Sequence, residues 1–231
     1  MFPIGDTNVR GAGPGFVTIG LIILNVIIFL FEATMSRPAL ESFITQYGTI
    51  PAAIMQGDQL HTLLTSMFLH GGWLHLIGNM LFLWVFGDNI EAVLGKLWYL
   101  LFYLAGGIAA SLAHILLNMG STVPSVGASG AIAAILGAYI VMFPHSQIRL
   151  LVFLGLFMTV TRVTALVFLG IWAIMQLFNG IAGLGVETAQ TGGVAFWAHL
   201  GGFVFGLLVG FLARGVAGRH QLESPGRLRR T

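Results

Sequence analysis

Five long stretches without a charged side chain constrain this sequence more than any other feature. No Asp, Glu, Lys or Arg occurs in residues 11–31, 59–87, 97–148, 163–186 or 188–213. Because a helix that crosses a bilayer needs about 20 mostly apolar residues, each stretch is long enough for one or two such helices. Charged residues make up only 8% of the chain, whereas a soluble domain has about 25%. The sequence therefore predicts a multi-pass membrane protein rather than a globular enzyme with a membrane tail.

The apolar stretches divide into six candidate spans, at residues 16–35, 70–87, 97–118, 128–143, 163–183 and 194–213. Only helices and closed barrels satisfy every backbone hydrogen bond in lipid, and these runs lack the alternation of barrel strands. All six are therefore predicted as helices. The first run could instead be a cleavable signal peptide, but Asn25 interrupts it and no convincing cleavage site follows, so a retained helix is predicted.

The predicted fold is an all-α membrane protein with one helical domain at residues 16–213. A cytoplasmic segment, 1–15, precedes this domain, and a basic tail, 214–231, follows it. The tail is interpreted as an anchor beside anionic lipid and not as a nucleic-acid site, because no stacking aromatic residues accompany its arginines. Two long connections lie within the domain, at 36–69 and 145–162. The middle of the second connection is apolar, so we expect it to lie along the membrane interface.

The cations indicate how the chain is oriented. With six spans, both termini and the loops after the second and fourth spans share one side of the membrane. That side carries nine of the ten Lys and Arg residues: Arg10, Lys96, Arg149, Arg162, Arg214, Arg219, Arg227, Arg229 and Arg230. Only Arg37 lies on the other side. Because Lys-rich and Arg-rich loops stay in the cytoplasm, both termini are predicted to be cytoplasmic. The expected location is a bacterial inner membrane.

Ser129 is a candidate nucleophile because of its position in the fourth predicted span. A serine in an apolar helix is ordinarily a packing residue that bonds to a backbone carbonyl one turn back. Ser129 instead stands where its helix begins, and the free N–H groups there can stabilise an oxyanion beside the serine oxygen. Gly127 and Gly130, on either side of it, allow close approach of the backbone.

His199, in the sixth span, is the candidate general base. It could simply bond to a neighbouring helix, but three glycines on the same face allow another helix to approach closely: Gly202, Gly206 and Gly210. The fourth span carries a matching stripe of small residues: Ser129, Ala133 and Gly137. Docking the two stripes brings the serine oxygen and the imidazole within hydrogen-bonding reach. Since no carboxylate lies at that depth to orient the imidazole, the sequence predicts a dyad and not a Ser-His-Asp triad.

His75 and Asn79 lie one turn apart in the second span and face the same way. Both side chains can donate hydrogen bonds, so together with the Ser129 amide they are candidate oxyanion donors. The alternative is that they only tie neighbouring helices together. A zinc site made of His70, His75 and His199 is another alternative. The five-residue spacing of the first two suits a metal poorly, no acidic base accompanies them, and the chain has no cysteine, so no metal is expected.

Four segments resemble the signatures of the rhomboid family and occur in the same order. They are LLTSMFLHGGWLHLIGNM at residues 63–80, NIE at 89–91, GASGA at 127–131 and AHLGG at 198–202. The resemblance covers residues 16–213. It implies a six-transmembrane-helix rhomboid bundle that hydrolyses peptide bonds within or beside the transmembrane segments of membrane proteins, without a cofactor. It also implies that residues 89–91 form a turn after the second helix.

The resemblance assigns the roles already argued: nucleophile Ser129, base His199, and oxyanion donors His75 and Asn79. Two positions depart from the family pattern. Leu60-His61 stand in the first loop where the family often has Trp-Arg, which bears on how that loop is anchored. Ala133 stands where many members have an aromatic residue that stacks on the catalytic histidine. The imidazole must therefore be held in another way, such as by close helix packing.

The predicted partners are transmembrane protein substrates and the lipid bilayer, with no nucleic acid and no metal. Two other functions fit parts of the pattern. A transporter would use intramembrane His and Asn as proton relays, but no acidic residue lies in mid-membrane and no repeat is visible. A non-catalytic rhomboid-like protein would bind membrane clients without cleaving them. The sequence favours a serine endopeptidase because both residues of the dyad are present.

Overall fold

The computed structural model describes residues 2–7, 15–155, 157–183 and 195–217, and the chain is mainly helical as predicted. The helices are α1 (Phe16–Ala33), α2 (Arg37–Tyr47), α3 (Pro51–Met55), α4 (Thr62–Thr65), α5 (Trp73–Leu94), α6 (Lys96–Leu117), α7 (Ser129–Met142), α8 (Ala165–Ala182) and α9 (Phe196–Ala217). The strands are β1 (Phe2–Gly5), β2 (Gln147–Leu154) and β3 (Phe157–Thr164). Much of the predicted N-terminal segment, with Arg10, and most of the basic tail lie outside the described residues.

Five helices of the described chain are long and apolar enough to cross a membrane, namely α1, α5, α6, α8 and α9. The fourth predicted span corresponds to α7, which has only 14 residues. At 1.5 Å per residue this helix is about 21 Å long, shorter than the roughly 30 Å hydrocarbon core. Twelve of its 14 residues are buried, so α7 is enclosed by the other helices.

The helix α5 continues through residues 89–91, where a turn was predicted, and ends at Leu94. The predicted turn is wrong, because the polar side chains of this segment form hydrogen bonds with other elements of the fold while the helix continues. Glu91 accepts hydrogen bonds from the backbone N–H groups of Val17 and Thr18, each at 2.9 Å. These N–H groups belong to the first turn of α1, where a carboxylate also interacts favourably with the helix dipole. The last turn of α5 therefore holds the start of α1.

The first long connection, 36–69, packs against the loop that precedes α7. The backbones of Thr49 and Ser125 form an isolated antiparallel pair, with N···O distances of 3.0 and 2.8 Å. His61, at one of the positions that depart from the family pattern, donates from Nε2 to the carbonyl oxygen of Gln46 at 3.1 Å. The connection is thus anchored without a Trp-Arg pair.

The second long connection forms an antiparallel sheet, which was not predicted. Strands β2 and β3 pair along their whole length, and β1 adds to the other edge of β2, so the order is β1-β2-β3. Strand β3 exposes the side chains of Phe157, Met158 and Val160. These apolar side chains fit the expected position of this connection along the membrane interface.

Asp6, which follows β1, ties the sheet to the helices. Its carboxyl group accepts hydrogen bonds from the Asn89 amide at 2.8 Å and from the Tyr139 hydroxyl. The Tyr139 oxygen also lies 2.8 Å from the Ser146 hydroxyl. Loss of hydration raises the pKa of Asp6 to about 7, and the charge of Asp88 adds to this rise while the hydrogen bond from Tyr139 opposes it. The fold therefore favours the protonated carboxyl group.

We expect Asp6→Asn to remove part of the pH dependence of stability. The contribution of protonated Asp6 is complete below its ordinary pKa of 3.8 and is lost as the pH rises through about 7. The melting temperature of the wild type minus that of Asp6→Asn should therefore fall between about pH 4 and about pH 8. Thermal unfolding of the full chain in detergent measures this difference. Asp58→Asn, at an exposed carboxyl group, is the control, and parallel curves for the wild type and Asp6→Asn would contradict the account.

Helices α7 and α9 pack with their backbones in contact. A Cβ atom added at Gly202 would overlap the carbonyl of Gly130, and one added at Gly206 would overlap that of Ala134. The predicted stripe on α9 is therefore correct. The facing stripe on α7 differs from the prediction, since it consists of Gly130, Ala134 and Ala138, with Gly137 also in contact. Ser129 lies one residue before this line of contact and borders a cavity, which leaves its hydroxyl accessible.

Candidate active site

Ser129 is the first residue of α7 and borders a cavity of about 700 Å³ among the helices. The loop before it is held in place by a hydrogen bond of 2.9 Å from the Gly127 N–H to the Ser66 carbonyl. Gly127 has a φ of +131°, which residues with a side chain rarely adopt. Because Ser129 opens its helix, its own N–H group has no acceptor within that helix. The hydroxyl and the amide of Ser129 thus lie at the same helix terminus.

His199 lies in the first turn of α9, and its Nε2 atom is 2.8 Å from Ser129 Oγ. The structure therefore brings together the two side chains that the stripes of small residues were expected to bring together. The contact between Gly202 and the Gly130 carbonyl, close by in both helices, sets the short distance between α7 and α9. A neutral imidazole in this position can accept the serine proton.

The opposite side of the imidazole is held by α8. The Nδ1 atom of His199 is 2.8 Å from Oε1 of Gln176, and the Trp172 ring lies 5.9 Å from the imidazole, centroid to centroid. Both side chains contact the imidazole, which has no aromatic neighbour at Ala133, and neither contact was predicted. The signal in the sequence was Gln176 itself, because a strongly polar side chain in an uncharged span is by default a functional candidate.

His75, on α5, packs against the loop beside Ser129. The backbone N–H of Gly71 donates to its Nδ1 at 3.4 Å, so the neutral ring carries its hydrogen on Nε2. A Cβ atom added at Gly127 would lie only 2.8 Å from this Nε2 atom. The Nε2–H group of His75 is therefore a donor close to the serine.

Asn79 follows His75 by one turn of α5 and lines the same cavity. Its side chain is 7% exposed, and its Nδ2 has no hydrogen-bond partner among the described residues. An unpaired buried donor costs about 1–3 kcal/mol. This cost is offset when the cavity contains an acceptor, so Asn79 is suited to bind an oxygen atom that enters the cavity.

The four predicted site residues thus border one cavity from three helices: His75 and Asn79 on α5, Ser129 on α7 and His199 on α9. The cavity lies at the end of the bundle opposite the sheet, because α7 runs from Ser129 toward β2. Its wall also includes Ile44 of α2 and Pro124 of the loop before α7. The site is therefore placed close to one end of the bundle.

His70, the third histidine of the alternative zinc site, is buried beside the cavity. Its side chain is 2% exposed, and its ring lies 5.2 Å from that of His75, centroid to centroid. Within the part of the chain that the structure describes, no group of three or more His, Asp or Glu side chains is placed to hold a metal ion.

The family model for the rhomboid domain matches residues 57–215, well over half of the chain. The chain belongs to the rhomboid family. It is 30% identical to Rhomboid protein 1, mitochondrial, of Saccharomyces cerevisiae over 226 residues, which are 93% of this chain and 59% of that protein. It is 31% identical to RHOMBOID-like protein 4 of Arabidopsis thaliana over 188 residues, which are 80% of this chain and 43% of that protein. It is 36% identical to Rhomboid protease GluP of Bacillus subtilis over 125 residues, which are 54% of this chain and 24% of that protein.

The rhomboid chain therefore spans at most 59% of the length of these three relatives. Several of its relatives are mitochondrial by name, including those of yeast and Danio rerio. These names weigh against the expected bacterial inner membrane. The broader prediction of an integral membrane protein is supported by the long apolar helices of the bundle.

Proposed function

We propose that this rhomboid chain is a serine endopeptidase that cleaves membrane proteins within or next to their transmembrane segments. The observation that carries the proposal is the 2.8 Å contact between Ser129 Oγ and His199 Nε2 at a cavity in the helix bundle. A hydroxyl group bonded to an imidazole is the arrangement that activates a serine nucleophile. One relative, from Bacillus subtilis, is named a protease.

In the first step, Ser129 Oγ attacks the scissile carbonyl carbon while His199 Nε2 takes the hydroxyl proton. The protonated imidazole then gives this proton to the leaving amine, and an acyl-enzyme on Ser129 remains. A water molecule attacks the ester with His199 again acting as base. The bond to Ser129 Oγ then breaks, the new carboxyl group is released, and His199 returns the proton to Oγ, which restores the free serine.

The carbonyl oxygen becomes negatively charged when Ser129 attacks and again when water attacks, and this charge needs donors that are already in place. The proposed donors are the Ser129 N–H group, His75 Nε2–H and Asn79 Nδ2. The N-terminal end of α7 adds the positive end of a helix dipole at the same point. In a cavity partly shielded from water, these donors stabilise the oxyanion more than they would in bulk solvent.

The substrate must present an extended peptide bond, although transmembrane segments are helical. Local unwinding is therefore required, and it is easiest where Gly or Pro weakens the helix. Water must also reach the acyl-enzyme, and the short helix α7 fits a serine that lies below the membrane surface but within reach of water. We infer that cleavage occurs near helix-breaking residues close to the cavity end of the bundle.

We propose that the end of the bundle next to the sheet lies on the side of the membrane that carries most of the Lys and Arg residues, together with both termini. Lys96 lies there, with Nζ 4.5 Å from the centre of the Phe16 ring, and Arg149 and Arg162 lie in the paired strands β2 and β3. By the cation distribution, this end stays on the side from which the protein is inserted. The cavity then opens toward the opposite side.

The proposed function is tested with the purified full chain and a panel of tagged single-span membrane proteins. Cleavage of at least one member by the wild type, but not by Ser129→Ala, is the expected result. Mass spectrometry of the products should place the cut within or beside the transmembrane segment. Capture of panel members by both forms without any cleavage would overturn the proposal and favour a non-catalytic client-binding protein.

A further inference from the structure

Gln176 is the one side chain described on α8 that bonds to the imidazole of His199, with a distance of 2.8 Å from Oε1 to Nδ1. On the other side of the ring, Nε2 lies 2.8 Å from Ser129 Oγ. Both ring nitrogens are thus engaged, and the ring plane is further restricted by Trp172, one turn earlier on α8. The imidazole is clamped between α7 and α8.

The two hydrogen bonds are not independent, because a neutral imidazole carries only one hydrogen. If Nδ1 carries it and donates to the Gln176 oxygen, Nε2 has a free electron pair that can accept the proton of Ser129. If the hydrogen were on Nε2 instead, the ring could not act as the base. An acceptor at Nδ1 therefore selects the reactive tautomer.

We propose that Gln176 is a positioning residue that holds His199 in the tautomer with a basic Nε2. This inference rests on the proposed function and deepens it, since Gln176 takes the place that a carboxylate has in a Ser-His-Asp triad. The amide does not touch the substrate or the reacting atoms. It acts through His199 alone.

The position of Gln176 in α8 explains why an amide is suited to this task. A charged carboxylate inside a membrane helix is costly, whereas a neutral amide supplies an acceptor oxygen at lower cost. Trp172 and Gln176 belong to the inward face of α8, together with Leu169 and Gly180, and the remaining faces are largely exposed. At Gly180, an added Cβ atom would lie 3.3 Å from the Trp197 ring, so α8 and α9 approach closely beside the site.

The test compares Gln176→Met and Gln176→Glu with the wild-type full chain. Met keeps the approximate length and removes the acceptor, so kcat should fall about 10²-fold with KM changed less than about threefold. Glu keeps an acceptor and adds a negative charge that stabilises the protonated imidazole. The acid limb of its pH–rate profile should therefore move to higher pH by about one unit or more. Asn179→Met, an amide-to-thioether change on an exposed face of α8, is the matched control and should alter neither quantity.

For the same variants, we also measure the rate at which a fluorophosphonate probe labels Ser129. Suppose that the wild type is labelled and cleaves substrate, that Gln176→Met matches both of its rates, and that the pH–rate profile of Gln176→Glu is not shifted. The inference about Gln176 is then overturned, and the proposed function stands. If the wild type is not labelled by the probe and does not cleave substrate, both the inference about Gln176 and the proposed function are overturned. Should Gln176→Met fail to fold, the pH profile of Gln176→Glu decides.

Discussion

Ser129→Ala and His199→Ala should each lower the rate of substrate cleavage by at least about 10⁴-fold, with the protein still folded. The first change removes the attacking oxygen, and the second removes the group that takes its proton. Both side chains are only half-buried, so truncation to alanine should leave the packed interior of α7 and α9 largely unchanged. Cleavage of a tagged single-span substrate measures the rate, and thermal unfolding in detergent confirms that each variant is folded.

Two controls and a double variant sharpen this prediction. Ser111→Ala changes another serine of the same cavity wall, and His145→Ala changes an exposed histidine near the sheet, and both should cleave like the wild type. Because Ser129 and His199 act as a unit, the double variant should lose no more activity than either single variant. Robust cleavage by a single variant, or losses that multiply in the double variant, would contradict the dyad.

Asn79→Ala is expected to lower kcat by about 10²–10³-fold with little change in KM. The Nδ2 group of Asn79 has no partner among the described residues and borders the cavity beside Ser129, so it is free to bind an oxygen that is present only during the reaction. Its removal should therefore destabilise the transition state and not the folded protein. Turnover and melting temperature are measured on the same preparation.

Asn25→Ala is the matched control for this prediction. Asn25 is fully buried on α1 and donates to the Leu21 carbonyl of its own helix at 2.7 Å. Its loss should lower the melting temperature and leave kcat unchanged, which is the reverse of the pattern expected for Asn79→Ala. If Asn79→Ala instead melts early and turns over normally, Asn79 only links helices, and His75 with the Ser129 amide must bind the oxyanion.

The membrane helices could be predicted from the sequence because lipid imposes a length and a composition on each of them. The proximity of Ser129 and His199 could also be predicted, because the glycine stripe on α9 marks the face that another helix must approach. The register of that contact could not. In the structure, α9 is faced by Gly130, Ala134 and Ala138, each one residue after its counterpart in the predicted stripe. Gly137, a member of the predicted stripe, also contacts α9. Small residues lie at so many positions of α7 that composition alone does not select one line of contact.

The sheet and the support of the imidazole could not be predicted for a different reason. Strand β1 pairs with β2 across more than 140 residues of sequence, and no local pattern reports such a long-range pairing. Likewise, Gln176 bonds to His199 because α8 lies beside α9, which depends on the packing of the whole bundle. The absence of an aromatic residue at Ala133 indicated that the ring needed another support, but only the structure identifies Gln176 and Trp172 as that support.

Covalent labelling of Ser129 by a fluorophosphonate probe, followed by peptide mass spectrometry, tests most directly whether His199 activates this serine. The hydroxyl oxygen attacks phosphorus and displaces fluoride, which requires an activated serine but no knowledge of the natural substrate. We expect labelling of the folded wild type at Ser129, none in Ser129→Ala, and at least a large loss of the labelling rate in His199→Ala. An unlabelled wild type, or equal labelling of wild type and His199→Ala, would contradict the claim that His199 activates Ser129.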